Sequence, residues 1–464
     1  MPADEGGEGR LGGRAPLIGC GGVFAVLALL GFGVAPYAKL RAVEEQRAVE
    51  LHLEAELAEQ GLSVDAAALI PAALPSEDLA RVTDALAIVE GLSADEKELI
   101  KLYWNGAFAR PPDAVEAGAH LLAQPRRLGR AKAALRASLA PIGSALDLAL
   151  RHESLGLDFE RVGGMVQLED LFRVRDLILA LCGRAVLAQQ EGRPRQAWAD
   201  LARAAEVVIA LREPSLVGFN LRVAWGAFVA EAVGAALGWG PPPEGPVRAR
   251  LHAALERFDH EPELSHAMRG VVLFVLDCVP AQRAEGQELW LDDSDYQLPF
   301  LGDLKWSEHR LELLRFFAEA TRVARLPFLE ARDGLAALEE RALRGGGLSR
   351  QSFAQFSVIL DLALRTRSQV RMARTALYLA EAAGAGELPH DLPDPLLGDP
   401  GSRASRPIQW RRLGPRHGRL WCVGANGSDE GGERAKDPRE GPDQVFEVRL
   451  PGAPGARGGA TKAD

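Results

Sequence analysis

The chain has 464 residues, of which 47% are hydrophobic and 25% are charged. This composition excludes a wholly disordered or collagen-like polypeptide, and the length is sufficient for two or three domains. The net charge of −10 argues against a protein that binds nucleic acid through bulk positive charge, and only four scattered cysteines are present, which excludes a disulfide-built scaffold.

Residues 15–38 are an uncharged, apolar stretch that follows a polar tail over residues 1–14. A helix of this length would be about 36 Å long, which exceeds the ~30 Å hydrocarbon core of a bilayer. Arg14 and Lys39 bound the stretch, and Tyr37 has the position of an interfacial aromatic residue. The pattern predicts a transmembrane helix. A cleaved signal peptide is the alternative, and the absence of a clear A-x-A cleavage site favours the uncleaved anchor.

The orientation of this helix is not determined by its flanking charges, because Arg and Lys residues lie on both sides of it. A short tail followed by a large domain is typical of proteins whose tail stays in the cytoplasm. We therefore expect a single-pass membrane protein whose soluble domain lies on the extracytoplasmic side.

Residues 39–61 are rich in charged residues, Ala and Leu, and predict a juxtamembrane helical stalk that continues the membrane helix. Residues 62–386 then carry repeated helix signals and predict an α-helical domain. Ser76 is followed by two acidic residues, as expected of an N-cap, and Ser93 with Glu96 matches a capping box.

Two apolar stripes with helical spacing predict an αα-hairpin near the middle of the chain. The break between them is Gly192-Arg193-Pro194. The first stripe is Leu171, Val174, Ile178, Leu181, Ala185 and Ala188, and the second is Ala197, Leu201, Ala204, Val208 and Leu211. Only one such unit is convincing, so a local hairpin is a better interpretation than a helical solenoid, which needs about three units.

Two further apolar stretches are candidate membrane spans. Residues 215–237 are long enough, but Arg222 and Glu231 interrupt them, and residues 270–279 are short and contain Asp277. Both stretches therefore predict buried helices of a soluble domain, which leaves a single membrane span.

The composition changes near Glu387, where Pro and Gly become frequent and helical periodicity stops. Residues 387–450 predict a small antiparallel β module with strands over residues 407–413, 419–423 and 444–450. The last residues, 451–464, are rich in Gly and Ala and predict a disordered tail. The whole chain is thus expected to be mainly α, with one N-terminal transmembrane helix and a small C-terminal sheet.

A set of short motifs in the β module resembles a pattern found in a known protein family. Asp394-Pro395 and Gly398 form a D-P-x-x-G turn, and residues 423–432 read V-G-x-N-G-x-D-x-G-G, with Trp410 between the two motifs. Together with Asp443 before the last strand, they resemble the C-terminal ending of type II secretion major pseudopilins. The same ending occurs in an uncharacterised family of bacterial membrane-anchored helical proteins, which this chain resembles more fully.

The resemblance implies a calcium-binding loop, since the corresponding loop of pseudopilins binds calcium. It places Asn426, Ser428, Asp429 and Asp443 as candidate ligands, and hard oxygen ligands on a Gly-rich loop suit Ca²⁺. The alternative interpretation is an Asx/Gly turn that joins two strands without an ion.

The chain also departs from the pseudopilins. Their prepilin peptidase site requires a Glu at the fifth position within the membrane helix, and no acidic residue lies within residues 15–38. A long helical region also separates the anchor from the β module. The chain is therefore not expected to work as a pseudopilin.

Sequence motifs that would indicate catalysis are either absent or lie in an unsuitable context. Residues 7–12 match G-x-G-x-x-G, but they lie in the polar tail with no preceding strand. His260 and His266 do not have H-E-x-x-H spacing, and Walker A, G-x-S-x-G and C-x-x-C sequences are absent from the chain. We expect no enzyme, no catalytic residue and no cofactor other than the candidate calcium ion.

These observations predict a membrane-anchored, non-enzymatic envelope protein that presents a helical domain for protein–protein interaction. Its expected partners are the lipid bilayer, through residues 15–38, and an unidentified protein, with no nucleic acid. An accessory component of a type II secretion or pilus-like assembly is the alternative function. A third possibility is an enzyme whose site is assembled from distant helices.

Overall fold

The computed structural model describes residues 35–59, 74–108, 124–152, 155, 161–162, 165–166, 168–211, 216–260, 299–345, 356–384, 386–392, 397–402, 406–424, 426–432 and 443–452. Most of the apolar stretch at residues 15–38, the short stretch at 270–279 and most of the C-terminal tail at 451–464 lie outside the described residues. The predictions made for them stay predictions.

The described part of the chain is mainly helical, as predicted, with a small antiparallel sheet at its C-terminal end. The helices are α1 (Ala35–Glu59), α2 (Ser76–Glu90), α3 (Ala94–Phe108), α4 (Pro125–Leu139), α5 (Ile142–Ala149), α6 (Leu168–Gln190), α7 (Pro194–Ala210), α8 (Leu216–Trp239), α9 (Gly245–His260), α10 (Pro299–Ala324), α11 (Phe328–Gly345) and α12 (Phe356–Ala383). The strands are β1 (Arg161–Val162), β2 (Met165–Val166), β3 (Gln409–Gly414), β4 (His417–Cys422) and β5 (Gln444–Arg449).

The predicted αα-hairpin is confirmed and lies at the centre of the larger hydrophobic core. Both predicted stripes are buried along α6 and α7, which pack against each other. Gly192 makes the turn with a φ of +73°, a conformation that glycine adopts without strain. Trp198 on α7 is buried, and its Nε1 donates a hydrogen bond of 2.9 Å to the carbonyl oxygen of Pro241.

Helix α8 is apolar enough to resemble a membrane span, but it packs inside the protein. Among the described residues, Gly218–Trp239 alone is long and apolar enough to cross a bilayer, and 56% of its most apolar window is buried within the protein. The helix contacts α6, α7 and α12. Arg222 on α8 is buried and bonds the carbonyl oxygen of Leu211 at 3.5 Å. This packing agrees with the interpretation of the stretch as a buried core helix.

A second hydrophobic core joins the end of α1 to α10, α11 and the first turns of α12. Phe316 and Phe317 on α10 lie within 6.5 Å of the ring of Phe356 on α12. Leu53 and Leu57 on α1 are buried in the same core. The helix predicted as a stalk therefore ends packed against the rest of the protein. Helix α12 extends through both cores, because residues 370–380 belong to the larger one.

Two predicted helix starts have different outcomes. The capping box is confirmed, since the backbone N–H of Ser93 donates to Glu96 Oε2 at 2.9 Å and that of Glu96 donates to Ser93 Oγ at 3.3 Å. The N-cap prediction for Ser76 was wrong. Pro75 takes the N-cap position with ψ 139°, and its carbonyl oxygen accepts the N–H of Leu79 at 3.0 Å, so Ser76 is already helical.

The predicted three-stranded sheet is present, with the antiparallel order β3–β4–β5. The first turn is shorter than predicted, because Gly414 pairs with His417 and leaves only two residues between the strands. The sheet packs on α8 and α12. Phe446 of β5 lies so close to α8 that a Cβ at Gly234 would be 2.7 Å from its ring. The β module and the helical domain thus share one core.

Candidate functional site

The acidic turn, defined as residues 426–432 with Asp443, joins β4 to β5 and contains all four candidate calcium ligands. Its glycines at positions 427, 431 and 432 have φ values of 71–73°, which explains the Gly-rich motif. A Cβ at Gly432 would lie 2.8 Å from the Trp421 ring, so a side chain there would also collide. The backbone path is therefore sufficient to explain these three glycines of the motif.

Side chains of the acidic turn hydrogen-bond its own backbone. Asn426 Oδ1 accepts the N–H of Ser428 at 2.9 Å. Asp429 Oδ1 accepts the N–H of Gly431 at 2.9 Å and Trp421 Nε1–H at 3.1 Å. These contacts two residues apart are Asx turns, the geometry of the ion-free alternative.

Asp443 has the most unusual environment of the four candidates. Its Oδ2 accepts the N–H of Gly432 at 2.9 Å, whereas its Oδ1 is buried with no hydrogen-bond partner among the described residues. Its own N–H donates to Glu430 Oε2 at 3.1 Å. Burial, with added effects of the Glu430 and Asp429 carboxyls, raises the pKa of Asp443 to about 7.

The described geometry does not form a complete calcium cage. Within the described part of the chain, no three His, Cys, Asp or Glu side chains converge as metal ligands. Oxygens of Asn426 and Asp429 that would face an ion accept backbone N–H groups instead. The unpartnered Oδ1 of Asp443 is a buried carboxylate oxygen of the described turn that suits a cation. Calcium binding by these four residues stays a prediction.

We expect the substitution Asp443→Asn to stabilise the protein at pH 8 and to change little at pH 4. The raised pKa means that the folded state binds the proton more tightly, so wild-type stability falls as pH rises from about 4 to about 7. An uncharged amide avoids this loss, which we expect to be about 1–3 kcal/mol. Thermal unfolding across this pH range measures it, and equal midpoints at pH 8 would contradict the prediction.

The same variant distinguishes the calcium loop from the ion-free turn. If Asp443 binds Ca²⁺, the ion raises the thermal midpoint of the wild type at pH 8, and Asp443→Asn loses that rise. If the turn is ion-free, Ca²⁺ and EDTA give the wild type the same midpoint. Asp391→Asn is the matched control, because it makes the same substitution at an exposed residue outside the four candidate ligands.

A second polar cluster lies inside the helical domain and was missed by sequence reasoning. Arg184 on α6 and Asp200 on α7 are both buried and form a two-bond ion pair at 2.5 and 2.7 Å. Arg203 links Asp200 to Asp147 on α5. Arg250 on α9 continues the network from Asp147 to α7. The cluster joins four helices through paired charges, which is a structural role.

Three histidines of the described residues are each paired with one carboxylate. His252 Nε2 lies 3.2 Å from Glu381, His417 Nε2 lies 2.6 Å from Glu447, and His152 Nε2 lies 2.9 Å from Asp78. The pairs lie on different parts of the fold, and the described contacts bring no Ser or Cys nucleophile to them.

The two described cysteines are unreactive. Cys182 and Cys422 are fully buried. Burial raises the pKa of the Cys182 thiol to about 12 and that of Cys422 well above its usual value. Both therefore stay protonated at neutral pH, and neither supplies a nucleophilic thiolate.

Comparison with known proteins leaves the chain without an assigned family. No protein-family model matches it, and no match was found among curated proteins or solved structures.

Proposed function

We propose that this protein is a single-pass, non-enzymatic envelope protein, anchored by residues 15–38, that presents its helical domain and β module to a protein partner. The observation that carries the proposal is the continuity of α1 with the uncharged stretch. The described part of helix α1 starts at Ala35, inside that stretch, and the helix ends packed against the second core through Leu53 and Leu57.

The continuous helix determines how far the second core stands from the lipid surface. The fourteen residues between Ala38 and Leu53 separate these two positions by about 22 Å of helix, at 1.5 Å per residue. Their described side chains are exposed, among them Glu44, Glu45 and Arg47. The second core, which α1 enters at Leu53, would therefore stand about 22 Å above the lipid surface, a position suited to contact with another protein.

The anchor is tested by placing charge within the apolar stretch. We expect Leu27→Arg combined with Leu30→Arg to move the protein from the membrane pellet to the aqueous fraction after carbonate extraction. Each arginine at the centre of a span costs about 2.5–3.5 kcal/mol of insertion free energy. Val49→Arg with Leu51→Arg is the matched control, since both side chains are exposed on α1.

The control should stay in the membrane pellet with the wild type. Recovery of the wild-type protein in the aqueous fraction without detergent would contradict the anchor. Protease added to cells with a permeabilised outer envelope tests the side, and we expect the helical domain to be cleaved while a cytoplasmic marker stays intact.

A second candidate is an accessory role in a type II secretion or pilus-like assembly. It is supported by the β module, in which a Gly-rich acidic turn separates the last two strands of an antiparallel sheet. Cofractionation of the anchored protein with components of such an assembly would support this role, and normal secretion in a deletion strain would count against it.

A further inference from the structure

Helices α1 and α10 pack together although 266 residues separate their contacting side chains. Arg322 Nη2 donates to Glu56 Oε1 at 3.2 Å, which fixes the level at which the two helices meet. One turn before Glu56, Leu53 is buried in the second core.

This burial determines the relative direction of the two helices. Helix α10 ends at Ala324, two residues beyond Arg322. In an antiparallel pair, Leu53 would lie beside residue 325, past the end of α10. In a parallel pair it lies beside α10, close to the buried Phe317 and Ala320. The geometry points to a parallel pair, in which both helices begin at the same end.

The register of the pair places the start of α10 at the level of the anchor. Both helices rise about 1.5 Å per residue, so equal numbers of residues from the Glu56–Arg322 contact reach the same height. Lys305 then lies level with Lys39, and residues 301–304 lie level with residues 35–38, the last turn of the uncharged stretch.

The residue types at this level are those of a membrane interface. The first turns of α10, residues 299–306, read PFLGDLKW. Aromatic residues are favoured at the headgroup level of a bilayer, and basic residues near the surface attract anionic lipids. Lys305 joins Lys39 and Arg41 to give three cationic positions close to one height, against one acidic position, Asp303, among residues 299–306.

We propose that residues 299–306 form a second membrane contact, in which the start of α10 lies among anionic phospholipid headgroups beside the anchor. The contact rests on the proposed function, because it requires residues 15–38 to lie in the bilayer. It holds the domain at two points, which restrains its tilt and rotation relative to the lipid surface.

The contact is tested by photo-crosslinking of the full-length protein in native membranes. Benzoylphenylalanine replaces Phe300 or Trp306 in turn, and Tyr37 serves as the anchor control. All three are aromatic, so the replacement is conservative. Leu326 is the distant control. It is exposed, and about 30 Å of helix separates it from position 306.

We expect phospholipid adducts at position 37 and at position 300 or 306, exceeding those at position 326 roughly tenfold because of that separation. Adducts at position 37 but at neither 300 nor 306 would overturn the second contact and leave the anchor intact. Equal labelling at 326 and 306 would overturn the register. No adduct at position 37 would overturn the anchor, and the second contact with it.

Discussion

Replacing Arg184 by methionine is expected to destabilise the α6–α7 hairpin by about 3–5 kcal/mol, the usual cost of leaving one partner of a buried ion pair alone. Arg184 donates to both carboxylate oxygens of Asp200 and to the carbonyl oxygen of Leu139 at the end of α4. The side chains of the pair are at most 2% exposed, so water cannot replace the lost bonds. Hydrogen exchange of α6 and α7 measures the loss locally, which suits a protein with two cores.

Two further variants separate the charge from the packing. Arg184→Met combined with Asp200→Leu removes both charges and should recover most of the stability, because apolar side chains of similar volume often replace a buried pair at little cost. Arg344→Ala breaks an exposed pair with Glu340 on α11 and should change stability by less than about 0.5 kcal/mol. If the single and double variants at Arg184 are equally unstable, the packing rather than the ion pair matters.

Local patterns in the sequence predicted the elements that depend on neighbouring residues. The α6–α7 hairpin follows from apolar periodicity with a Gly-Arg-Pro break, and Ser93 with Glu96 forms the expected box. The three strands of the β module were predicted within two residues of their observed bounds, because turn residues flank them, whereas β1 and β2 were not predicted. At Ser76 the pattern failed, since the preceding proline takes the N-cap position.

Contacts between distant segments could not be predicted from periodicity. Leu53 and Leu57 lie in a segment rich in charged residues, and only the presence of α10 shows that they are buried. Arg184 and Asp200 look like ordinary surface charges in the sequence, because helical spacing does not reveal which polar residue faces inward. Such positions depend on the packing of the whole fold.

The candidate site was predicted in composition but not in geometry. The letters of the acidic turn indicate oxygen donors on a Gly-rich loop, which fits either an ion or Asx turns. Which of these two structures forms depends on where the side chains point. Asp429 bonds Trp421, and Asp443 meets Gly432, only because β4 and β5 pair in one particular register.

Replacing Asp399 by alanine is expected to loosen the β module where residues 399–401 meet the end of β4. The buried Asp399 carboxylate accepts the N–H of Gly401 at 2.8 Å and that of Val423, at the end of β4, at 2.7 Å. The turn lies so close to the strand that a Cβ at Gly401 would be 2.3 Å from the Val423 carbonyl oxygen. Alanine at position 399 therefore leaves two buried backbone N–H donors, those of Gly401 and Val423, without their acceptor.

The magnitude of this effect depends on pH. Each unpaired N–H costs about 1–3 kcal/mol of stability. Burial of the carboxyl raises the pKa of Asp399, so the cost of burying its charged form offsets part of the stability that its two hydrogen bonds contribute. An acid with a raised pKa stabilises the fold less as pH rises above its ordinary value of 3.8. We therefore expect Asp399→Ala to cost about 2 kcal/mol at pH 7 and more below pH 3.8, where the carboxyl is protonated.

Hydrogen exchange of β4 and β5 measures this loss, and α6 and α7 are the internal reference because they lie away from the turn. Ser402→Ala is the matched control in the same turn, where the Ser402 hydroxyl accepts the exposed Arg406 N–H at 3.3 Å. Water can replace that bond, so exchange should change little. If both variants accelerate exchange of β4 equally, the whole turn rather than the Asp399 carboxylate holds the strand. If only Asp399→Ala does, one buried side chain holds the turn against the end of β4.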